Sequence, residues 1–199
     1  MPTVDFPSIE PTMITLESVD NTIYNRTLSG RETRTKVGSQ FYRITYKFAN
    51  LTETQKRQLS GHYAAARGGF LDFYLTLPTF IKNGSGDTTA TITVGSGSAG
   101  AYGCTYTKVS TDNETVFKAG DLIYFSNHDK VYEVSVDSTS TGSSGTVYFN
   151  PALRSGVTSS HTIEYQGVKM LVRYAKNLEY ELENNSFSSL DIIFEEVIT

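Results

Sequence analysis

Between Gln40 and Phe48 the chain alternates: Tyr42, Ile44, Tyr46 and Phe48 fall on one side, Phe41, Arg43, Thr45 and Lys47 on the other. A period of two belongs to an extended strand with one buried and one wetter face, because a helix would scatter the same residues around its axis. Phe70–Leu77 repeats the pattern, setting Leu71, Phe73, Leu75 and Leu77 against Asp72, Tyr74 and Thr76, with Pro78 closing the run. Phe187–Ile198 sets Leu190, Ile192, Phe194 and Ile198 against Asp191, Ile193, Glu195 and Val197. Three such segments commit the chain to a mainly β fold.

Composition agrees. Hydrophobic residues are 38%, yet 13 Tyr and 11 Phe occur with no Trp, which suits half-exposed sheets better than a helical core. At 199 residues the chain fits one domain, or one domain carrying a smaller inserted one, and can bury a core without disulfides. One helix interrupts the strands. Thr52 with Gln55 forms a capping box, Glu53 suits the positive end of the helix dipole, and the helix is predicted over about Glu53–Arg67. Its stripe is Leu59, Tyr63 and Ala66, Gly68-Gly69 is its stop, and interior Gly61 costs up to ~1 kcal/mol against Ala.

Before the first long strand, Met13–Ser29 reads as short strands broken at Asp20-Asn21, and Gly30 and Gly38 bracket the charged segment Arg31–Val37. Texture changes after Ile81. Gly84-Ser85-Gly86-Asp87 and Gly95–Gly100 punctuate short Thr-rich strands such as Thr89–Val94 and Cys104–Val109. Lys118–Phe125, a turn feeding a strand, and Lys130–Val136 flank the turn Asn127-His128-Asp129 as a hairpin, and Thr146–Phe149 and His161–Tyr165 are further strands. The expected organisation is therefore a domain of residues 1–81 and 168–199 with a small β-barrel or sandwich, 82–167, inserted in it. Val168–Ala175 and Leu178–Glu183, with a turn at Asn184-Asn185, return the chain to the outer domain.

Chemistry-bearing patterns are sparse. Cys104 is the single cysteine, so no internal disulfide or multi-thiolate zinc site is expected. His62, His128 and His161 lack metal-ligand spacing and read as surface or boundary histidines. The pairs Glu181/Glu183 and Glu195/Glu196 adjoin no apolar pocket signal, and the Gly-rich loops lack a phosphate-binding ending. The expectation is a non-enzyme without cofactor or metal. Met1–Pro7 shows neither a basic nor an apolar signal region, and no run approaches a membrane span. A net charge of −4 argues against a dedicated nucleic-acid binder.

Charge is nevertheless uneven. From Arg26 to Lys47 six basic residues accompany one acid, Glu32, whereas from Asn177 onward there are six acids and no Lys or Arg. These are either two solvated strand faces or complementary patches meeting across a repeated subunit boundary. For the second reading the candidate interface residues are Arg26, Arg31, Arg34 and Lys36 against Glu179, Glu181, Glu195 and Glu196.

A family resemblance rests on the order of these features. A basic hairpin segment (Arg31–Val37) passes through Gly38 into the aromatic strand Phe41–Phe48. Leu51-Thr52 and a short helix then lead to Arg67-Gly68-Gly69-Phe70 and Phe73-Tyr74-Leu75-Thr76-Leu77-Pro78. The chain closes with Leu190-Asp191-Ile192-Ile193-Phe194-Glu195-Glu196-Val197. Over about residues 22–80 and 168–199 this resembles the tail-tip proteins of long-tailed bacteriophages, namely the lambda-type minor tail protein M and the amino-terminal domain of distal tail proteins. The resemblance implies a tail-tube-like β-sandwich or split barrel with one α-helix, in a subunit made in the host cytoplasm and built into the virion at the tail tip. Such subunits form a ring, usually a hexamer, joining the distal end of the tail tube to the hub or fibre. The implied partners are copies of itself, the tail tube protein and the tail hub or fibre protein, with no membrane and no specific nucleic acid, although the genome passes through the lumen. Members often carry an extra β domain outside the ring, where residues 82–167 would fit. The alternative is a host-surface glycan-binding module of a phage tail acting through that inserted domain.

Overall fold

The structure, a computed structural model, describes residues 5–77, 91–110, 112–179 and 188–198. In chain order come β1 (Met13–Val19), β2 (Thr22–Arg26), β3 (Glu32–Lys36), β4 (Phe41–Leu51), helix α1 (Glu53–Ala65) and β5 (Phe73–Thr76). Short strands follow: β6 (Ile92–Val94), β7 (Ser96–Gly97), β8 (Gly103–Lys108), β9 (Thr115–Phe117), β10 (Leu122–Phe125) and β11 (Val131–Val134). Then come β12 (Ser138–Thr139), β13 (Ser144–Asn150), β14 (Val157–Thr158), β15 (Ile163–Glu164), β16 (Lys169–Tyr174) and β17 (Ser188–Glu196). The protein is mainly β, with one helix among the described residues. The Gly84–Asp87 linker, the stretch 180–183 with Glu181, and the Asn184-Asn185 turn lie outside the described residues.

Two compact units divide the chain, one of Met1–Phe73 with Val172–Val197 and one of Tyr74–Leu171 with Ile198–Thr199. The boundaries thus fall inside β5 and β16, against the expected 81/82 and 167/168. A five-stranded sheet, most of it in the first unit, runs in the order β1-β4-β17-β16-β5. β1 lies antiparallel to β4 with Leu16 opposite Ile44, and β17 flanks the other side of β4 with Phe194 opposite Ile44. The sequence alternation becomes an alternation of burial: Tyr42, Ile44, Tyr46 and Phe48 are buried, as are Leu190, Ile192 and Phe194. Phe6, Tyr46, Phe73, Tyr174 and Phe194 form an aromatic cluster, with Tyr46 and Phe194 edge-to-face at 5.4 Å. Such pairs add ~0.5–1.5 kcal/mol each beyond their area burial.

Helix α1 is set by local chemistry at both ends. The Gln55 N–H donates to Thr52 Oγ1, and the Thr52 N–H donates to Gln55 Oε1 at 2.9 Å, completing the capping box. It stops at Ala65, short of the expected Arg67, because Arg67 and Gly68 both turn left-handed (φ 54° and 67°) and the Gly68 N–H returns to the Tyr63 carbonyl. Gly69 then passes so near β16 that a Cβ would lie 2.5 Å from the Tyr174 carbonyl oxygen. β5 accordingly begins at Phe73, leaving Phe70 exposed. His62 corrects the reading of a surface or boundary histidine. Three positions after Leu59, it lies on the buried stripe, 4% exposed, with Nδ1 2.6 Å from the Tyr174 hydroxyl.

In the second unit six short strands make a sheet ordered β15-β10-β11-β13-β8-β6. Its ends meet through a bridge between Thr93 and Thr162, with the Val94 N–H on the His161 carbonyl, so the sheet nearly closes into a small barrel. Tyr106, Phe117, Ile123, Phe125, Val147 and Phe149 fill it. Gly145 faces Tyr106 in register, and a Cβ there would fall 2.5 Å from the ring's Cζ. The expected hairpin forms as β10 and β11, with Ile123 opposite Tyr132.

Candidate subunit interface

Between β1 and β4 the chain makes an excursion that belongs to neither large sheet. Among the described residues β2 and β3 pair only with each other, from Thr22 opposite Lys36 to Arg26 opposite Glu32. The hairpin continues the β1–β4 ladder: the Val19–Phe41 pair is followed by a bond from the Val37 N–H to the Asn21 carbonyl. Its tip is closed by the Thr27 N–H on the Arg31 carbonyl and by Gly30 at φ 82°. Every residue from Ile23 to Ser39 is exposed, Leu28 at the tip completely so. Strand parity gives this arm two chemistries. Thr22, Tyr24, Arg26, Glu32, Arg34 and Lys36 share one face, where the Arg34 guanidinium lies 5.7 Å from the Tyr24 ring centroid. Ile23, Asn25, Thr33 and Thr35 share the other, which is uncharged.

The nominated residues fall into distinct environments. Arg34 pairs with Glu32 within the arm at 2.8 Å, and Lys36 with Asp20 at 3.1 Å. Arg26 and Arg31 are exposed and have no carboxylate partner among the described residues. The acidic half is largely used inside the subunit. Glu195 takes Arg43 at 3.0 Å and Arg173 at 3.8 Å, and Asp191 takes Lys47 at 3.8 Å, as the cross-strand register of β4 and β17 dictates. Glu195, joined by Glu17, also holds the Arg43 guanidinium protonated beyond its ordinary range. Glu196 corrects the reading of a surface acid. It continues the inward parity of Ile192 and Phe194, is 5% exposed, and accepts the Tyr42 N–H at 3.0 Å. Glu179 is exposed, and Glu181 lies outside the described residues.

The arm therefore holds four cations and two acids between Asp20 and Val37, a net +2, leaving 13 cations and 19 acids elsewhere, a net −6. Among the described residues no group of three His, Cys, Asp or Glu side chains could hold a metal ion. Cys104 is buried, and desolvation pushes its thiol up to about 12. The described helix is neither long nor apolar enough to cross a membrane. No protein-family model and no curated protein matches this chain.

Proposed function

We propose that this chain is a structural subunit of a long-tailed bacteriophage tail tip, assembling into a ring, of about six copies by resemblance, that joins the tail tube to the hub or fibre. The observation that carries the reading is the β2–β3 arm. A two-stranded ribbon with no residue to bury is marginal in water by itself, so it gains its stability by lying on something else. The arm is cationic and the remainder of the chain is acidic, so a neighbouring copy offers a surface of opposite sign. β1 and β5 end their sheet and present backbone donors and acceptors for a second chain. Closed rings need such heterologous contacts, in which one patch meets a different patch on the next copy.

Electron microscopy of the purified chain mixed with a tail tube subunit tests the reading. Discs at tube ends are expected. A chain that neither forms rings nor decorates tube ends would overturn it.

A further inference from the structure

On the barrel of the second unit two tyrosines stand largely in water, Tyr102 at 57% and Tyr148 at 53% exposure. Both border one open trough of about 630 Å³, a size suited to a small ligand. Gly103 lies opposite Tyr148 in the β8–β13 register, and a Cβ at 103 would fall 2.9 Å from Tyr148 Cδ1 and 3.3 Å from Cε1. With glycine there, the tyrosine ring rests against bare strand backbone. Gly97 keeps the floor low in the same way, since its Cβ would meet Cys104, Leu153 and Val157 within 2.9 Å. Cys104 stays a neutral thiol in this setting.

Hydroxyls complete the lining. Ser96 and Thr105 bond to each other's groups, whereas the hydroxyls of Ser98 and Thr146 have no partner among the described residues. Among the described residues no charged side chain lines the trough. A charged ligand would leave its solvation without gaining a counter-ion, so the occupant is neutral. Aromatic faces beside vacant hydroxyls suit a molecule with an apolar C–H face and a hydroxyl rim, as a pyranose has. A second copy fits less well, because a stable protein interface takes roughly 20–30 residues a side, and a dozen line this trough.

We propose that this trough binds a neutral saccharide, with a sugar ring stacked on Tyr148 beside Tyr102 and its hydroxyls meeting Ser98 and Thr146. The site lies wholly in the second unit, so sugar binding neither requires nor tests ring assembly. The experiment is amide NMR of the full chain titrated with maltose, cellobiose, lactose and diacetylchitobiose at millimolar concentrations. Saturable shifts confined to residues around 96–105 and 146–148 are expected with at least one sugar. Tyr148→Ala should weaken that binding roughly tenfold or more, while Tyr148→Phe, which keeps the ring face, should stay within about threefold. Retained spectral dispersion shows that each variant is folded. Silence towards all four sugars, or binding unaltered by both Tyr102→Ala and Tyr148→Ala, overturns the proposal. Shifts at these residues that depend on protein concentration without sugar also overturn it, since the face would then be a contact between copies.

Discussion

Reversing two arm charges, Arg31→Glu with Arg34→Glu, should weaken self-association while leaving the fold intact. The substitution takes the arm from a net +2 to −2. Neither side chain supports the core: both residues are exposed, and Arg34 pairs with Glu32, at 70% and 41% side-chain exposure, and lies over the exposed Tyr24 ring. Exposed pairs of this kind are worth ~0.2–1 kcal/mol, so thermal unfolding should move little. Across a contact the arithmetic differs. A cation held about 10 Å from an acid of the next copy through water gains about 0.4 kcal/mol, so reversing it costs about 0.8 kcal/mol and reversing two about 1.7 kcal/mol. That is roughly a fifteenfold loss per contact at low ionic strength. The difference should vanish near 1 M salt, where the screening length is about 3 Å. Sedimentation velocity at low and high salt reads both effects, with circular dichroism melts as the fold control. Equal association of wild type and variant at low salt would exclude an electrostatic role for the arm, and a variant that no longer folds would show that the arm charges support the fold.

Four further outcomes follow from the packing. The Tyr46 hydroxyl is buried without a hydrogen-bond partner among the described residues, so Tyr46→Phe should stabilise the first unit by about 1 kcal/mol in denaturant titration. Thr52→Ala removes the helix cap and should cost about 1 kcal/mol in the same assay. Gly145→Ala drives a methyl into the buried Tyr106 ring and should cost about 1–3 kcal/mol, read as a lower melting temperature of the barrel. His128, with its Nε2 2.7 Å from the Tyr132 hydroxyl, has its pKa lowered chiefly by burial and next by Arg154, against the opposing pull of Asp129. Its depressed folded value means that the unfolded chain binds the proton more readily. Stability should therefore be full above about pH 6.5 and fall as pH drops through the folded value, and His128→Gln should flatten that slope.

The periodic strands and the capped helix were legible because each is decided by neighbours in sequence. The Thr52–Gln55 box and the 122–134 hairpin form where the spacing puts them. Residues whose environment depends on distant chain were harder. Position 62 sits on the Leu59 stripe by helical spacing, but a histidine there tolerates burial because Tyr174 arrives from β16 with a hydroxyl. Glu196 shares the parity of Phe194, a visible signal, yet a carboxylate is expected at the surface, and it is the Tyr42 N–H that lets this one be buried. The clustering of acids on β17 and cations on β4 was equally plain, but only the antiparallel register shows that Arg43 and Lys47 neutralise Glu195 and Asp191 within one subunit. Glycan binding through the inserted domain is an alternative the sequence offers, but not which tyrosines would carry it, because Tyr102 and Tyr148 are brought together by long-range strand pairing.

The mass of the unaltered chain in solution, measured by sedimentation over rising concentration, bears most directly on the claim that this molecule is built to join copies of itself. A ring-forming subunit should appear as a discrete closed species, at six copies of 22.0 kDa roughly 132 kDa, that disperses as salt is raised. A single 22.0 kDa species at every concentration and salt would contradict the claim.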